Sequence, residues 1–128
     1  MHHAHGAFNV KVVPLSSASV AGIAHYSLDK ELHGDIEGTS KGEMMGVGDP
    51  KSGNAGYVAL EVITGTLAGK HGSFVLQHSS FMEAGAPTMN IKVVPGSGTD
   101  ELKGIAGTFM IRIENGQHFY DLDYTLPD

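Results

Sequence analysis

The chain has 128 residues, of which 41% are hydrophobic and 17% charged, with 18 glycines and no cysteine; this is one ordinary globular domain, able to bury roughly two thirds of the surface its unfolded form exposes. Fourteen acidic against eight basic side chains give a net charge of −6, which repels a phosphate backbone and an anionic membrane surface alike and excludes nucleic acid and membrane as partners. The lack of cysteine excludes disulfides, thiolate catalysis and cysteine metal sites.

The start, Met1-His2-His3-Ala4-His5-Gly6, lacks the basic and apolar regions of a secretion signal, and no apolar run reaches bilayer length, so a cytoplasmic setting is expected. Residues 1–6 read as a flexible N-terminus ahead of one domain over 7–128. Imidazoles at His2, His3 and His5 suit zinc, copper or nickel, but a frayed end offers no preorganised geometry, and no metal or cofactor is expected. Alternation of apolar and polar residues predicts strands near Phe8–Leu15, His25–Leu32, Asp35–Val47, Tyr57–Thr66, Ser73–Met82, Thr88–Val94, Thr108–Glu114 and Gln117–Leu126. Helix is confined to one turn around Thr99–Leu102, with Thr99 available as N-cap. Glycine at about twice its usual frequency marks tight turns between many short strands.

A repeat supports this layout. Leu67-Ala68-Gly69-Lys70-His71-Gly72-Ser73-Phe74 matches Leu102-Lys103-Gly104-Ile105-Ala106-Gly107-Thr108-Phe109 at an offset of 35 residues, with an imperfect third copy at Leu32-His33-Gly34, whose second glycine, Gly38, comes one residue late. Each copy reads as a β-hairpin corner. Eight consecutive antiparallel strands remove their exposed edges by closing, so the expected fold is all-β, a closed eight-stranded antiparallel barrel with room for packed side chains or one small ligand.

Facing follows from the turns. Asn115-Gly116 suits a two-residue type I′ turn, which pairs Glu114 with Gln117, Ile113 with His118, Ile111 with Tyr120 and Phe109 with Leu122. Phe109, Ile111, Ile113, His118, Tyr120, Leu122 and Tyr124 then point inward. Carried back along the repeat, the same logic turns Phe74, Leu76, His78 and Ser80 inward and pairs Leu67 with Phe74 across Gly69–Gly72. Ile63, Glu61, Ala59 and Tyr57 follow on the inner face, with Ile63 opposite His78 and Glu61 opposite Ser80. Val58, Leu60, Val62 and Val75 face outward, an apolar surface that points to a subunit interface, and so a homo-oligomer, or to cover by the chain ends. Tyr26, Leu28 and Lys30 aim inward, while the late Gly38 leaves the facing of Asp35–Val47 open.

Glu61, His78, Ser80, Tyr57, His118, Tyr120 and Lys30 are therefore the candidate site residues. An interior carboxylate is costly unless paired or protonated. In one reading, desolvation raises the pKa of Glu61, and Glu61 and His78 form a catalytic acid/base pair beside ligand-binding Tyr57, Ser80, His118, Tyr120 and Lys30. In the other, Glu61 binds Lys30 or His78 in a structural ion pair that closes the barrel. Pro95-Gly96-Ser97-Gly98-Thr99 lacks the lysine and helix of a phosphate loop, and no G-x-S-x-G, HExxH or paired CxxC occurs.

Ala55-Gly56-Tyr57-Val58-Ala59-Leu60-Glu61, Gly72-Ser73-Phe74-Val75-Leu76-Gln77-His78-Ser79 and Val94-Pro95-Gly96-Ser97-Gly98-Thr99-Asp100-Glu101-Leu102 together resemble a bacterial family of small proteins classed as a domain of unknown function, similar in fold to the allene oxide cyclase barrels. The resemblance runs from about Gly6 to the end and implies an eight-stranded barrel with a central cavity. The plant cyclases of that fold bind an oxidised fatty acid in the cavity and cyclise it; no residue here matches their catalytic positions, so the architecture alone carries over. Three functions follow as expectations: a barrel binding a small apolar molecule, an isomerase or cyclase of an oxidised lipid or polyketide-like substrate, and a non-catalytic oligomeric assembly module.

Overall fold

The computed structural model of the chain describes residues 1–15 and 20–127; of the expected domain 7–128, positions 16–19 and 128 lie outside the described residues. Period-two alternation produces eight strands: β1 (His2–Leu15), β2 (Ala24–Gly34), β3 (Ile36–Asp49), β4 (Asn54–Leu67), β5 (Lys70–Glu83), β6 (Ala86–Val93), β7 (Ala106–Glu114) and β8 (Gln117–Thr125). Each pairs antiparallel with the next, and β8 returns to β1, closing the barrel. Single 3-10 turns sit at Pro50–Ser52 and Asp100–Leu102. Thr99 does stand at the N-cap of the second, but its hydroxyl makes no capping bond and instead accepts from the Ser73 amide at 3.0 Å. Among the described residues no helix is long and apolar enough to cross a membrane.

The start of the chain departs from expectation. His2–Phe8 pair with Tyr124–His118 of β8, and Ala4 is buried, so residues 2–6 are a strand that seals the barrel rather than a frayed end. Backbone pairing, invisible in a histidine-rich composition, decides this.

The hairpin between β4 and β5 also corrects the sequence reading. Ala68 (φ 50°) and Gly69 (φ 83°) form a two-residue turn of the same kind as Asn115 (φ 51°) and Gly116 (φ 78°). Leu67 therefore pairs with Lys70, and Phe74 lies opposite Ile63, Glu61 opposite Leu76, His78 opposite Ala59 and Ser80 opposite Tyr57. Phe74 has moved four residues along its partner, an even number, so every inward residue stays inward. Of the repeat copies, the one at Leu102 is no hairpin corner: Leu102 closes a 3-10 turn and is buried with Ile105.

On β3, Ile36 and Ser40 are buried and Gly38, Gly42, Met44 and Gly46 half-buried, while Glu37, Thr39, Lys41, Glu43, Met45 and Val47 are exposed. The inner wall of β3 is thus built mainly of small residues. The apolar core fills one end of the barrel around Phe8, Leu32, Ile63, Phe74, Phe109 and Leu122, each side chain contributing about 1.5–3 kcal/mol of burial. Tyr26, Met44, Tyr57 and Met82, at the opposite strand ends, are half-buried, so this second end is open.

The seam between β6 and β7 is the weak one. Among the described residues its ladder is a single pair, Lys92 with Thr108. Ile113, expected in the interior, is 65% exposed: it lies on the inner side of β7 and pairs with His118 of β8, but β6 forms no ladder on its other side.

Candidate functional site

Glu61 sits mid-strand on β4, facing inward and 1% exposed. Its Oε1 accepts from Ser40 Oγ at 2.9 Å, and its Oε2 accepts from Lys30 Nζ at 2.8 Å and meets His78 Nε2 at 2.5 Å. Four strands, β2 to β5, each supply one member of this cluster. Lys30 Nζ also lies 4.9 Å from the centroid of the Phe8 ring, a cation–π contact from β1. The approach of β3 to β4 depends on Gly42: a Cβ there would meet the Leu60 carbonyl oxygen at 2.3 Å and Glu61 Cβ at 2.7 Å.

The electrostatics favour the second of the two readings of Glu61, the ion pair. Burial pushes its carboxyl up, but the His78 hydrogen bond and the Lys30 charge together outweigh burial and hold it at about 2. Glu61 is therefore an ionised anchor that binds both of its expected partners at once, and it is no reservoir of protons near neutrality. Ser40, the fourth member, was missed because the facing of β3 could not be set from its glycines. The alternation Gly38, Ser40, Gly42 was the available signal, since small residues on every second position of one strand make room for a long side chain from the next.

Ser80 follows His78 on the same face of β5 and lies between Tyr57 on β4 and Met89 on β6. It is buried, yet its Oγ has no hydrogen-bond partner among the described residues. Tyr57 beside it is half-buried.

His118 and Tyr120 do not join this group. Tyr120 is fully buried, its ring stacked on Phe109 with centroids 5.6 Å apart. Its hydroxyl accepts from the Ile36 amide at 2.8 Å and donates to the His33 carbonyl at 3.0 Å, tying β8 to the β2–β3 turn. Burial pushes this phenol up to about 12, against the opposing pull of the Ile36 bond. It is a structural tie, because both capacities of the hydroxyl are already used. His118 is half-buried with its ring 5.2 Å from Phe8, and it walls a separate small cleft of about 170 Å³ with Asn9, His33 and Gln117.

Two features lie outside the barrel. His3 contacts Asp123 at 2.7 Å and Asp121 at 3.2 Å across the β1–β8 seam, and the Asp123 hydrogen bond raises its pKa despite some desolvation. On the outer face of β2–β5 lies a cleft of about 800 Å³ whose lining includes His25, Glu43, Met45, Val58, Leu60 and Val62.

No curated protein matches the chain. The crystal structure of a protein of unknown function from Shewanella oneidensis MR-1, assigned to the DUF3224 family, is similar throughout: 42% identity, a TM-score of 0.93, and coverage of 100% of this chain and 98% of that one. The family described as "Protein of unknown function (DUF3224)" matches residues 4–124, a span that reaches into all eight strands and holds the whole Lys30–Ser40–Glu61–His78 cluster, and the chain belongs to that family.

Proposed function

We propose that this barrel binds one small, mostly apolar molecule at its open end. The observation that carries the reading is the Ser80 hydroxyl. The charged cluster beneath it satisfies itself, whereas Ser80 Oγ is buried without a partner among the described residues. Such a group costs about 1–3 kcal/mol, which an oxygen on a bound molecule recovers. Tyr26, Met44 and Tyr57 around the open end supply the half-buried apolar surface that such pockets combine with a few polar groups.

Native mass spectrometry of the protein purified from its own host tests this. A reproducible, stoichiometric small apolar passenger is expected, and Ser80→Ala should bind it about tenfold more weakly. A protein that is repeatedly empty sinks the reading. An allene oxide cyclase-like isomerase using Glu61 and His78 fits the site less well, because a carboxylate held at about 2 by Lys30 and His78 has no proton to give near neutrality.

A second reading, homo-oligomeric assembly, rests on the outer face of β3–β5. Met45, Val58, Leu60 and Val62 are 45–54% exposed there and line the 800 Å³ cleft together, an apolar surface of the kind that a subunit interface covers. Leu60→Asp is expected to convert an oligomer into a monomer by light scattering with the fold retained. A wild-type protein that is already monomeric at high concentration removes this reading.

A further inference from the structure

We infer that the splayed seam between β6 and β7 is the passage by which a slender, neutral, single-headed apolar molecule reaches Ser80. This deepens the binding reading above and rests on it.

Among the described residues the seam is laddered at one end only. At its closed end Lys92 pairs with Thr108. Just beyond, the inner faces of the two strands carry Ile91 and Phe109, which are 1% and 2% exposed. Toward the open end the next inner residues lose their cover: Met89 is 44% exposed, Ile111 half-buried and Ile113 65% exposed. In a fully laddered barrel these positions would be core, because inner side chains of neighbouring strands cover one another. Here they form two apolar walls with buried Ile91 and Phe109 as the floor. Backbone groups of Ala86–Asn90 and Met110–Glu114 face this gap without a ladder between them.

Ser80 is the register partner of Met89, so the buried, unpartnered hydroxyl adjoins the wall of the gap. A molecule lying between Met89 and Ile113 places its polar end at Ser80 Oγ. The charge of that end is constrained as well. Lys30 is already matched by Glu61, the one buried carboxylate among the described residues. An incoming carboxylate would surrender its water to sit near an existing carboxylate, whereas a hydroxyl or a ketone meets no such repulsion. The two-walled shape selects a straight chain over a globular ring system.

The absence of cysteine makes a crosslink clean. Continuing the antiparallel register from Lys92–Thr108 brings position 90 opposite 110, so an oxidised Asn90→Cys/Met110→Cys pair would zip the seam. The probes are 1-decanol and 2-decanone, with decanoate as comparator, followed through the methyl signals of Met44 and Met82 at the open end. Both neutral probes are expected to bind the wild type, and decanoate about tenfold more weakly. Oxidation of the cysteine pair should slow probe exchange by about tenfold or more, reversed by reductant. Met89→Trp fills the gap without a crosslink and should weaken binding comparably, which covers a pair that fails to oxidise. Identical exchange in the oxidised, reduced and Met89→Trp proteins overturns the passage while leaving binding at the open end intact. Failure of the wild type to bind either neutral probe overturns the passage and the binding reading together.

Discussion

Glu61→Gln is expected to destabilise the fold by about 3–5 kcal/mol, because it leaves the Lys30 ammonium buried without its counter-charge. Lys30 and Glu61 are 7% and 1% exposed, so water cannot take over from the lost carboxylate. Removing the partner as well, in Lys30→Met/Glu61→Gln, should recover most of that loss, since neither charge then has to be desolvated. Urea denaturation of the two variants decides the matter: a single variant within about 1 kcal/mol of wild type would mean that the pair is far better hydrated than its burial indicates. The pH dependence has a definite sign. The carboxyl of Glu61 is held at about 2 against 4.5 when unpaired, so its stabilisation is complete above about pH 5 and is lost as the pH falls from there toward 2, on the order of 3 kcal/mol in all. Glu61→Gln should show a flatter stability profile across that window.

Gly6→Ala is the second large effect, about 3 kcal/mol of destabilisation. A Cβ at Gly6 would lie 2.0 Å from the His33 carbonyl oxygen and 2.5 Å from Tyr120 Oη. The His33 carbonyl is backbone, so it cannot rotate aside, and β1 must shift away from β2. That same shift disturbs the Tyr120 hydroxyl, which accepts from Ile36 N and donates to His33 O. Tyr120→Phe alone should cost about 1–3 kcal/mol by leaving the Ile36 amide unpaired. The double variant should cost less than the sum, since both changes act on one junction. Gly56→Ala is the control: its nearest contact is the Phe81 ring at 3.5 Å, an ordinary packing distance, and it should stay within about 0.5 kcal/mol of wild type.

Much of the architecture was legible in the residues. Asn115-Gly116 announces its turn because asparagine and glycine tolerate positive φ, and the pairings from Glu114–Gln117 to Phe109–Leu122 follow. Ala68-Gly69 makes the same turn without the same signature, since alanine does not advertise a φ of 50°. The β4–β5 register therefore slipped, yet the slip was even and the inner faces survived it. Alternation carried along the repeat puts Lys30, Glu61 and His78 on one inner side, but it leaves the carboxylate's state open between two readings: burial of one group is readable from a pattern, whereas the summed field of partners from β2 and β5 is not. Ser40 was lost for want of a facing on β3. Tyr120 was counted into the site because alternation tells inside from outside, not which end of the barrel a residue occupies.

By itself, the sequence determined the all-β class, the number of strands and most of the inward-facing residues, because period-two alternation and turn chemistry are local and survive an even slip in register. Only the tertiary structure decided that His2–Phe8 close the barrel against β8, that Glu61 is an ionised anchor with three partners, and, among the described residues, that Ser80 Oγ has no partner and that the β6–β7 ladder stops at Lys92–Thr108. Each of these depends on which strands meet and at what height, and that is set by closing the whole sheet rather than by any one segment.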